Sequence, residues 1–319
     1  MKKAQNILIA GFGDIGRRVA RQLRCSRRYR MTALIRGSTR SSTARLSARL
    51  LGVQFVRGDL GNPRSLQRQI PPADTVFYFA PPPSSGNFDT HTKHLLAALS
   101  GIRPRRLRAA PTKRRMLPRQ IIYISTTGVY GDCKGEWIDE TRPLRPQSAR
   151  AKRRVDAERQ LRAWGLENCV DITVLRAPGI YAEDRLPVDR LRRQTPVLMA
   201  DEDVFTNHIH ADDLARAAII AMRQRWPKQF RVFNVVDDSQ LRMGDYFDQV
   251  ADAFGLQRPP RIGFADAENH ISPMLLSFMR ESRRISNARI KREMKFVFKY
   301  PTLASVLSNI RPRMDNGTA

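Results

Sequence analysis

Three glycines and two arginines carry the chemistry that this sequence suggests first. In residues 6–23, NILIAGFGDIGRRVARQL, Gly11, Gly13 and Gly16 follow an apolar run and open a helix-period segment, giving G-x-G-x-x-G. The first glycine permits the tight turn, the second lets backbone approach a pyrophosphate, and the third lets helix and strand pack closely. Free N–H groups at the helix start then meet phosphate charge. Gly11, Phe12, Gly13, Asp14, Ile15 and Gly16 are therefore the expected dinucleotide cradle, against the plainer alternative of a structural glycine turn. About 20 residues further on, where an acid would accept hydrogen bonds from the ribose hydroxyls of NAD, the chain offers Arg36 in ALIRGSTR. A guanidinium suits a 2′-phosphate, so NADP is expected in preference to NAD; the alternative is a surface arginine in an arginine-rich chain.

The elements that must position these residues follow from an alternation. Short β-type runs, NILIA, MTALI, VQFV, TVFYFA, IIYIS and DITVLR, are separated by helix-period segments. That is the pattern of a parallel sheet with crossover helices, hence an α/β, doubly wound fold. The expected division is a dinucleotide-binding Rossmann domain over residues 1–176 and 206–236 and a smaller α-rich substrate lobe over 177–205 and 237–319.

Composition bounds the rest. The chain has 319 residues, 57 Lys plus Arg and 30 Asp plus Glu, for a formal charge of +27. Such an excess points toward polyanions, but arginine dominates it over several runs, as a compositional bias would, and a dedicated nucleic-acid role is not expected. Residues 101–119, GIRPRRLRAAPTKRRMLPR, hold eight basic residues and three prolines without an acid. They are expected to form an exposed connection, with an anionic partner as the alternative. Cys25, Cys133 and Cys169 are odd in number and lack C-x-x-C spacing, which suits a reducing compartment. No cleavage site follows the basic, apolar N-terminus and no run has the length of a membrane span. A cytoplasmic protein that does not enter membranes is expected, as a monomer or homodimer.

Several further motifs, RGDL at 57–60, FAPPP at 79–83, STTGVYGD at 125–132, LRAPGIY at 175–181, NHIHADDLARA at 207–217 and VFNVVDD at 232–238, follow in order. With the glycine turn, this series resembles the extended and atypical short-chain dehydrogenase/reductases, in particular the NAD-dependent epimerase/dehydratase and nucleoside-diphosphate-sugar epimerase-like proteins. The resemblance covers almost the whole chain. It implies that Asp59 and Leu60 lie by the adenine, that Ala80, Pro81 and Pro82 pass the cofactor ribose and phosphates, and that Thr126, with Ser125 and Thr127 beside it, helps polarise a substrate. A hydroxyl at the carboxyl end of a parallel strand is also where ligands of such sheets bind.

The family's usual mechanism needs a Tyr and, four residues later, a Lys on the following helix, whose ammonium lowers the phenol pKa while nicotinamide exchanges hydride. Matching Glu158 to the family's acid beyond that Lys places Arg150 at the Tyr position and Arg154 at the Lys position in RAKRRVDAERQL. A rival register uses Ser148 and Lys152. Helical geometry favours the first, because Arg150, Arg154, Ala157, Leu161 and Trp164 share one face, with Lys152, Arg159 and Val155 roughly opposite. Arginine stays protonated and cannot shuttle a proton, though it can hold an anion or oxyanion. Tyr130 and Tyr181 are the remaining candidate phenols, each with packing as its plainer role.

HIHADD at 208–213 is expected to be a strand feeding a helix capped by Asp212, with Asp213 near its positive end, rather than a metal site. No G-x-S-x-G elbow supports a hydrolase. The expectation is an NADP-dependent oxidoreductase or epimerase for a small, anionic or nucleotide-linked substrate, with Thr126, Ser125, Tyr130, Arg150 and Arg154 as its catalytic candidates. The alternative is a catalytically inactive NADP-binding redox sensor or regulator, and a third possibility is polyanion binding through 101–119.

Overall fold

The computed structural model describes residues 4–37, 42–66, 69–101, 117–226 and 229–310. Ser38, Thr39 and Arg40, and all but the ends of the basic stretch 101–119, lie outside the described residues. The chain divides into two compact units, Met1–Val129 with Pro146–Arg176 and Leu214–Phe233, and Tyr130–Arg145 with Ala177–Asp213 and Asn234–Ala319.

The first unit is an alternation of strands and helices: β1 (Gln5–Ala10), α1 (Asp14–Leu23), β2 (Tyr29–Ile35), α2 (Ser42–Leu51), β3 (Val53–Arg57), α3 (Pro63–Leu66), β4 (Thr75–Tyr78), α4 (Thr90–Leu99), β5 (Gln120–Thr126), α5 (Ala149–Asn168), β6 (Asp171–Ala177), α6 (Ala211–Arg223) and β7 (Phe230–Asn234). They build a seven-stranded sheet of order β7-β6-β5-β4-β1-β2-β3. β1 runs parallel to β2 on one side and to β4 on the other, with Ile9 opposite Ala33 and Phe77. The fold is α/β, a Rossmann-type parallel sheet flanked by helices. Strand order reverses at β1, and in open α/β sheets the crevice beyond the carboxyl ends at such a switch point is where ligands bind. The glycine turn leaves β1 at that point.

The central strands β4 and β5 are apolar and almost wholly buried, as strands covered on both faces are. Leu8, Val76, Tyr78, Tyr123, Val174 and Leu161 belong to one buried core. The second unit has its own, in which Tyr181, Val197, Phe247, Val250, Leu276 and Leu303 take part. Its sheets are two-stranded pairs, among them Phe205–Thr206 with Leu241–Arg242 and Arg284–Ile285 with Trp137–Ile138. Among the described residues, no helix is long and apolar enough to cross a membrane.

Two local expectations need correction. α6 begins at Ala211, so Asp213 lies near its positive end as expected, while Asp212 sits inside the first turn rather than before it, and the Asp212 N–H donates to His210 Nδ1 at 3.2 Å. Asp213 also accepts from the backbone N–H groups of Lys299 and Tyr300, at 3.0 and 2.8 Å. On α5 the expected single stripe is also revised: Arg150 is exposed, while Ala151, Arg153, Val155, Ala157, Glu158, Leu161 and Gly165 are buried. The helix packs on both β5 and α4, and burial on two sides widens its covered face beyond a single stripe.

Candidate functional site

The glycine turn is held by close backbone contact. Gly11 has φ +108°, and a Cβ there would stand 2.3 Å from the Ala80 nitrogen. The N–H groups of Phe79 and Ala80 both donate to the Ala10 carbonyl, at 2.8 and 2.9 Å, drawing the end of β4 over the turn. A Cβ on Gly16 would come within 2.6 Å of the Gly11 carbonyl oxygen. Gly13 differs: a Cβ there meets nothing within 4 Å, and as N-cap of α1 it offers no side-chain acceptor. No side chain caps the first N–H groups of α1, and a helix N-terminus left in that state attracts anions. Asp14, which would oppose a phosphate, is tied by its carboxylate to Arg18 Nε at 2.9 Å. These features fit a dinucleotide pyrophosphate.

Of the other expected cofactor residues, Ala80 lies directly against this turn. Phe12 meets Phe55 edge to face at 5.2 Å. Arg36 is exposed just past the end of β2. Asp59 accepts from the Gly61 N–H at 2.9 Å and its own N–H donates to Ser65 Oγ at 2.8 Å. The Leu60 carbonyl is 2.6 Å from His94 Nδ1, and that of Pro81 is 3.1 Å from His91 Nδ1. Ala80 is buried, Pro81 exposed and Pro82 half-buried.

At the end of β5, successive side chains point to opposite faces, and the three hydroxyls separate accordingly. Thr126 is half-buried, and its Oγ1 accepts from the Gly128 N–H at 3.3 Å; Gly128 in turn lies against Ala151 at the start of α5. Ser125 and Thr127 are buried. Ser125 donates to Glu158 Oε1 at 2.6 Å, and Glu158 also accepts from Arg176 Nε and Nη2, at 3.2 and 2.7 Å. This buried trio pins β5, α5 and β6 together behind Thr126.

Arg154 does not reach outward freely. Its Nη1 donates to Tyr123 Oη at 2.9 Å and to the Ile124 carbonyl at 3.0 Å. Burial pushes the Tyr123 phenol up to about 12 despite that guanidinium, so near neutral pH Tyr123 is a neutral hydrogen-bond partner. Its ring lies 5.1 Å from Tyr78, whose hydroxyl pairs with Thr92 Oγ1 at 3.0 Å. Asp89 caps α4 by accepting from the Thr92 N–H at 2.9 Å, and burial raises its carboxyl pKa. The helix also clasps the segment after β4: Arg153 Nη1 donates to the Gly86 carbonyl and Gln160 Nε2 to that of Asp89, while the Asp89 N–H donates to Asp156.

Thus the first unit brings Thr126, Ala151 and the Arg154 attachment to one strand end. Arg150 is exposed at the head of α5. The two tyrosines belong to the second unit and are buried there: Tyr130 donates to Asn234 Oδ1 at 2.7 Å and Tyr181 to Asp237 Oδ2 at 3.1 Å. Burial raises the Asp237 carboxyl to about 7 and pushes the Tyr181 phenol well above its usual range. Asp237 lines a cavity of about 240 Å³ together with Trp137, Phe205, Asn207, Arg284 and Asn287. The Arg284 guanidinium stacks between Phe205 and Trp137, 4.9 and 5.4 Å from the ring centroids. Among the described residues no group of three or more His, Cys, Asp or Glu could hold a metal ion. Glu158 could be singled out in the sequence only as a register mark, and nothing there signals its pairing with Arg176 or that of Arg154 with Tyr123.

The model of the NAD dependent epimerase/dehydratase family matches residues 7–235. Protein YeeZ of Escherichia coli (strain K12) is 25% identical over 187 residues, 58% of this chain and 60% of YeeZ, so the match spans less than two thirds of that relative. A functionally unknown conserved protein from Silicibacter pomeroyi superposes with a TM-score of 0.74 at 27% identity, over 96% of this chain and 98% of that one. UDP-glucuronic acid 4-epimerase from Bacillus cereus, solved in complex with NAD, shares the fold with a TM-score of 0.69 at 18% identity, over 95% and 96% of the two chains. With the family model spanning both the glycine turn and the strand-end hydroxyls, the chain belongs to the NAD-dependent epimerase/dehydratase family.

Proposed function

We propose that this protein binds NADP at the Gly11–Gly16 turn and acts as a cytoplasmic oxidoreductase or epimerase on a small, anionic or nucleotide-linked substrate. The observation that carries the reading is the start of α1 at Gly13, which no side chain caps and where a Cβ would meet nothing within 4 Å, placed at the sheet's switch point. Arg36 supplies the preference for a 2′-phosphate, Asp59 and Leu60 border the adenine, and Ala80, Pro81 and Pro82 border the ribose and phosphates. The B. cereus neighbour, whose structure holds NAD, supports a nicotinamide cofactor and, by its name, a sugar-nucleotide substrate class. When bound, the nicotinamide supplies the hydride donor or acceptor.

The chain's own residues then orient and hold. Thr126 Oγ1 hydrogen-bonds the reacting oxygen of the substrate, and Arg150 and Arg154 keep a fixed positive charge where the family has its Tyr and Lys. Neither arginine releases a proton near neutral pH, so the proton comes from water or from the substrate. A second reading, a redox-sensing protein without turnover, is favoured by one feature: the hydroxyls of Tyr123, Tyr130 and Tyr181 are all buried and engaged.

The test is single-turnover absorbance with NADPH or NADP and a panel of UDP-sugars, with product sugars identified by chromatography. Oxidation of cofactor or interconversion of a sugar, abolished by Thr126→Val, supports the enzyme. Tight NADPH binding with no change in any substrate supports the sensor.

A further inference from the structure

Between Asp14 and Asp59 the chain contains twelve arginines, no lysine and no acid. The structure folds this segment into α1, β2, α2 and β3, the part of the sheet beyond β1, with α1 packed against α2. Arg18 turns inward to Asp14. Arg17, Arg21 and Arg24 follow at spacings of four and three, on one exposed face of α1 and its C-cap, and Arg27, Arg28 and Arg30 carry the exposed series through the turn into β2. Arg49 on α2 and Arg57 at the end of β3 are exposed as well. None of these eight has a carboxylate within ion-pair distance among the described residues.

A single-sign surface repels itself, whereas some exposed arginines elsewhere are paired, Arg258 with Asp252 and Arg280 with Glu268. We propose that the face formed by α1 and the turn into β2 binds nucleic acid through its phosphate backbone. Three features favour that partner. Arginine's planar fork matches a phosphate oxygen pair, which the ammonium of lysine does not, and here arginine is used alone. From Arg17 to Arg24 the helix rises about 10 Å, a track that spans roughly three phosphates at about 3.4 Å per nucleotide of one strand. Among the described residues, no large hydrophobic side chain is exposed between Asp14 and Gly37, so the track has no apolar wedge for a lipid surface and no ring for base stacking. Binding is therefore to the backbone, without sequence readout. α1 starts at the switch point and runs back toward the amino ends of the strands, so most of the track leads away from the glycine turn, and binding there is independent of the proposed enzymatic reading.

The experiment uses the full chain and fluorescence anisotropy with labelled single-stranded RNA and duplex DNA of mixed sequence, across a salt series. Wild-type affinity falls linearly in log K against log salt. In Arg21→Gln/Arg24→Gln/Arg27→Gln/Arg28→Gln the slope drops by about 0.7–0.9 for each phosphate that the protein no longer neutralises, while circular dichroism and NADPH titration stay as in wild type. A variant with the same reduction of charge elsewhere, Arg64→Gln/Arg145→Gln/Arg223→Gln/Arg225→Gln, keeps the wild-type slope. No binding by wild type, an equal weakening in the two variants, or capture by anionic-lipid vesicles in preference to nucleic acid each overturns the proposal.

Discussion

Gly11 and Gly13 stand two residues apart and are needed for different reasons. Gly11 is required by the fold, since its backbone lies in the left-handed half of conformational space and a Cβ would strike Ala80. Gly11→Ala is expected to cost about 1–3 kcal/mol of stability, read as a lower Tm with or without cofactor. Gly13 has space for a Cβ in the free protein. Gly13→Ala should keep the wild-type Tm while weakening NADPH binding by about tenfold or more, about 1.4 kcal/mol. Equal loss of stability in both variants would remove the cradle as the explanation. A third residue-scale test concerns pH. Burial raises the Asp237 carboxyl in the folded state from an ordinary 3.8 to about 7. The folded state therefore holds a proton that the unfolded state releases, and the stability this contributes is fully present below about 3.8 and is lost as pH rises toward about 7. Denaturant titrations of wild type and Asp237→Asn over that window should show the decline in wild type and a flatter profile in the variant. The glycines were legible in the sequence because their spacing, between an apolar strand and a helix-period segment, is a local pattern. Asp237 was not, because its burial comes from packing against Tyr181, 56 positions away.

At the scale of elements, the alternation of strands and helices was readable because the central strands β1, β4 and β5 are short, largely buried apolar runs and most crossovers carry a helix-period pattern. α5 was read only in part. Its N-cap, Ser148, accepts from the Ala151 N–H at 3.2 Å, and its position follows from the motif order. Its covered face did not follow, because the helix serves β5 with Arg154 and Glu158 and the segment after β4 with Arg153, Asp156 and Gln160. Polar residues on such a face are invisible to a hydrophobic pattern. The consequence for stability is testable. Glu158 and Arg176 are both about 5% exposed as side chains, and removing one partner of a buried pair costs about 3–5 kcal/mol because the other charge is left unpaired. Glu158→Ala should lower the unfolding free energy by that amount, and Glu158→Leu/Arg176→Met should recover much of it. If the double variant is no better than the single, the ion pair is not what joins the strand to the helix.

At the scale of the whole molecule, a formal charge of +27 is a statement about partners and solubility rather than fold. The sequence presented that charge as a general excess, and the structure gathers a part of it along α1 and its following turn. Family membership rests on a match over residues 7–235, while the proposed chemistry turns on Arg150 and Arg154, where the sequence departs from the expected Tyr and Lys. Cofactor binding therefore comes before catalysis in deciding what this protein does. Calorimetric titration of NADPH and NADH into wild type and Arg36→Ala tests it most directly. Wild type should bind NADPH more tightly by about tenfold or more, the worth of one charge-assisted hydrogen bond of about 1.5–3 kcal/mol, and Arg36→Ala should erase the difference while leaving NADH affinity unchanged. Equal affinities in wild type, or no binding of either dinucleotide, would contradict it.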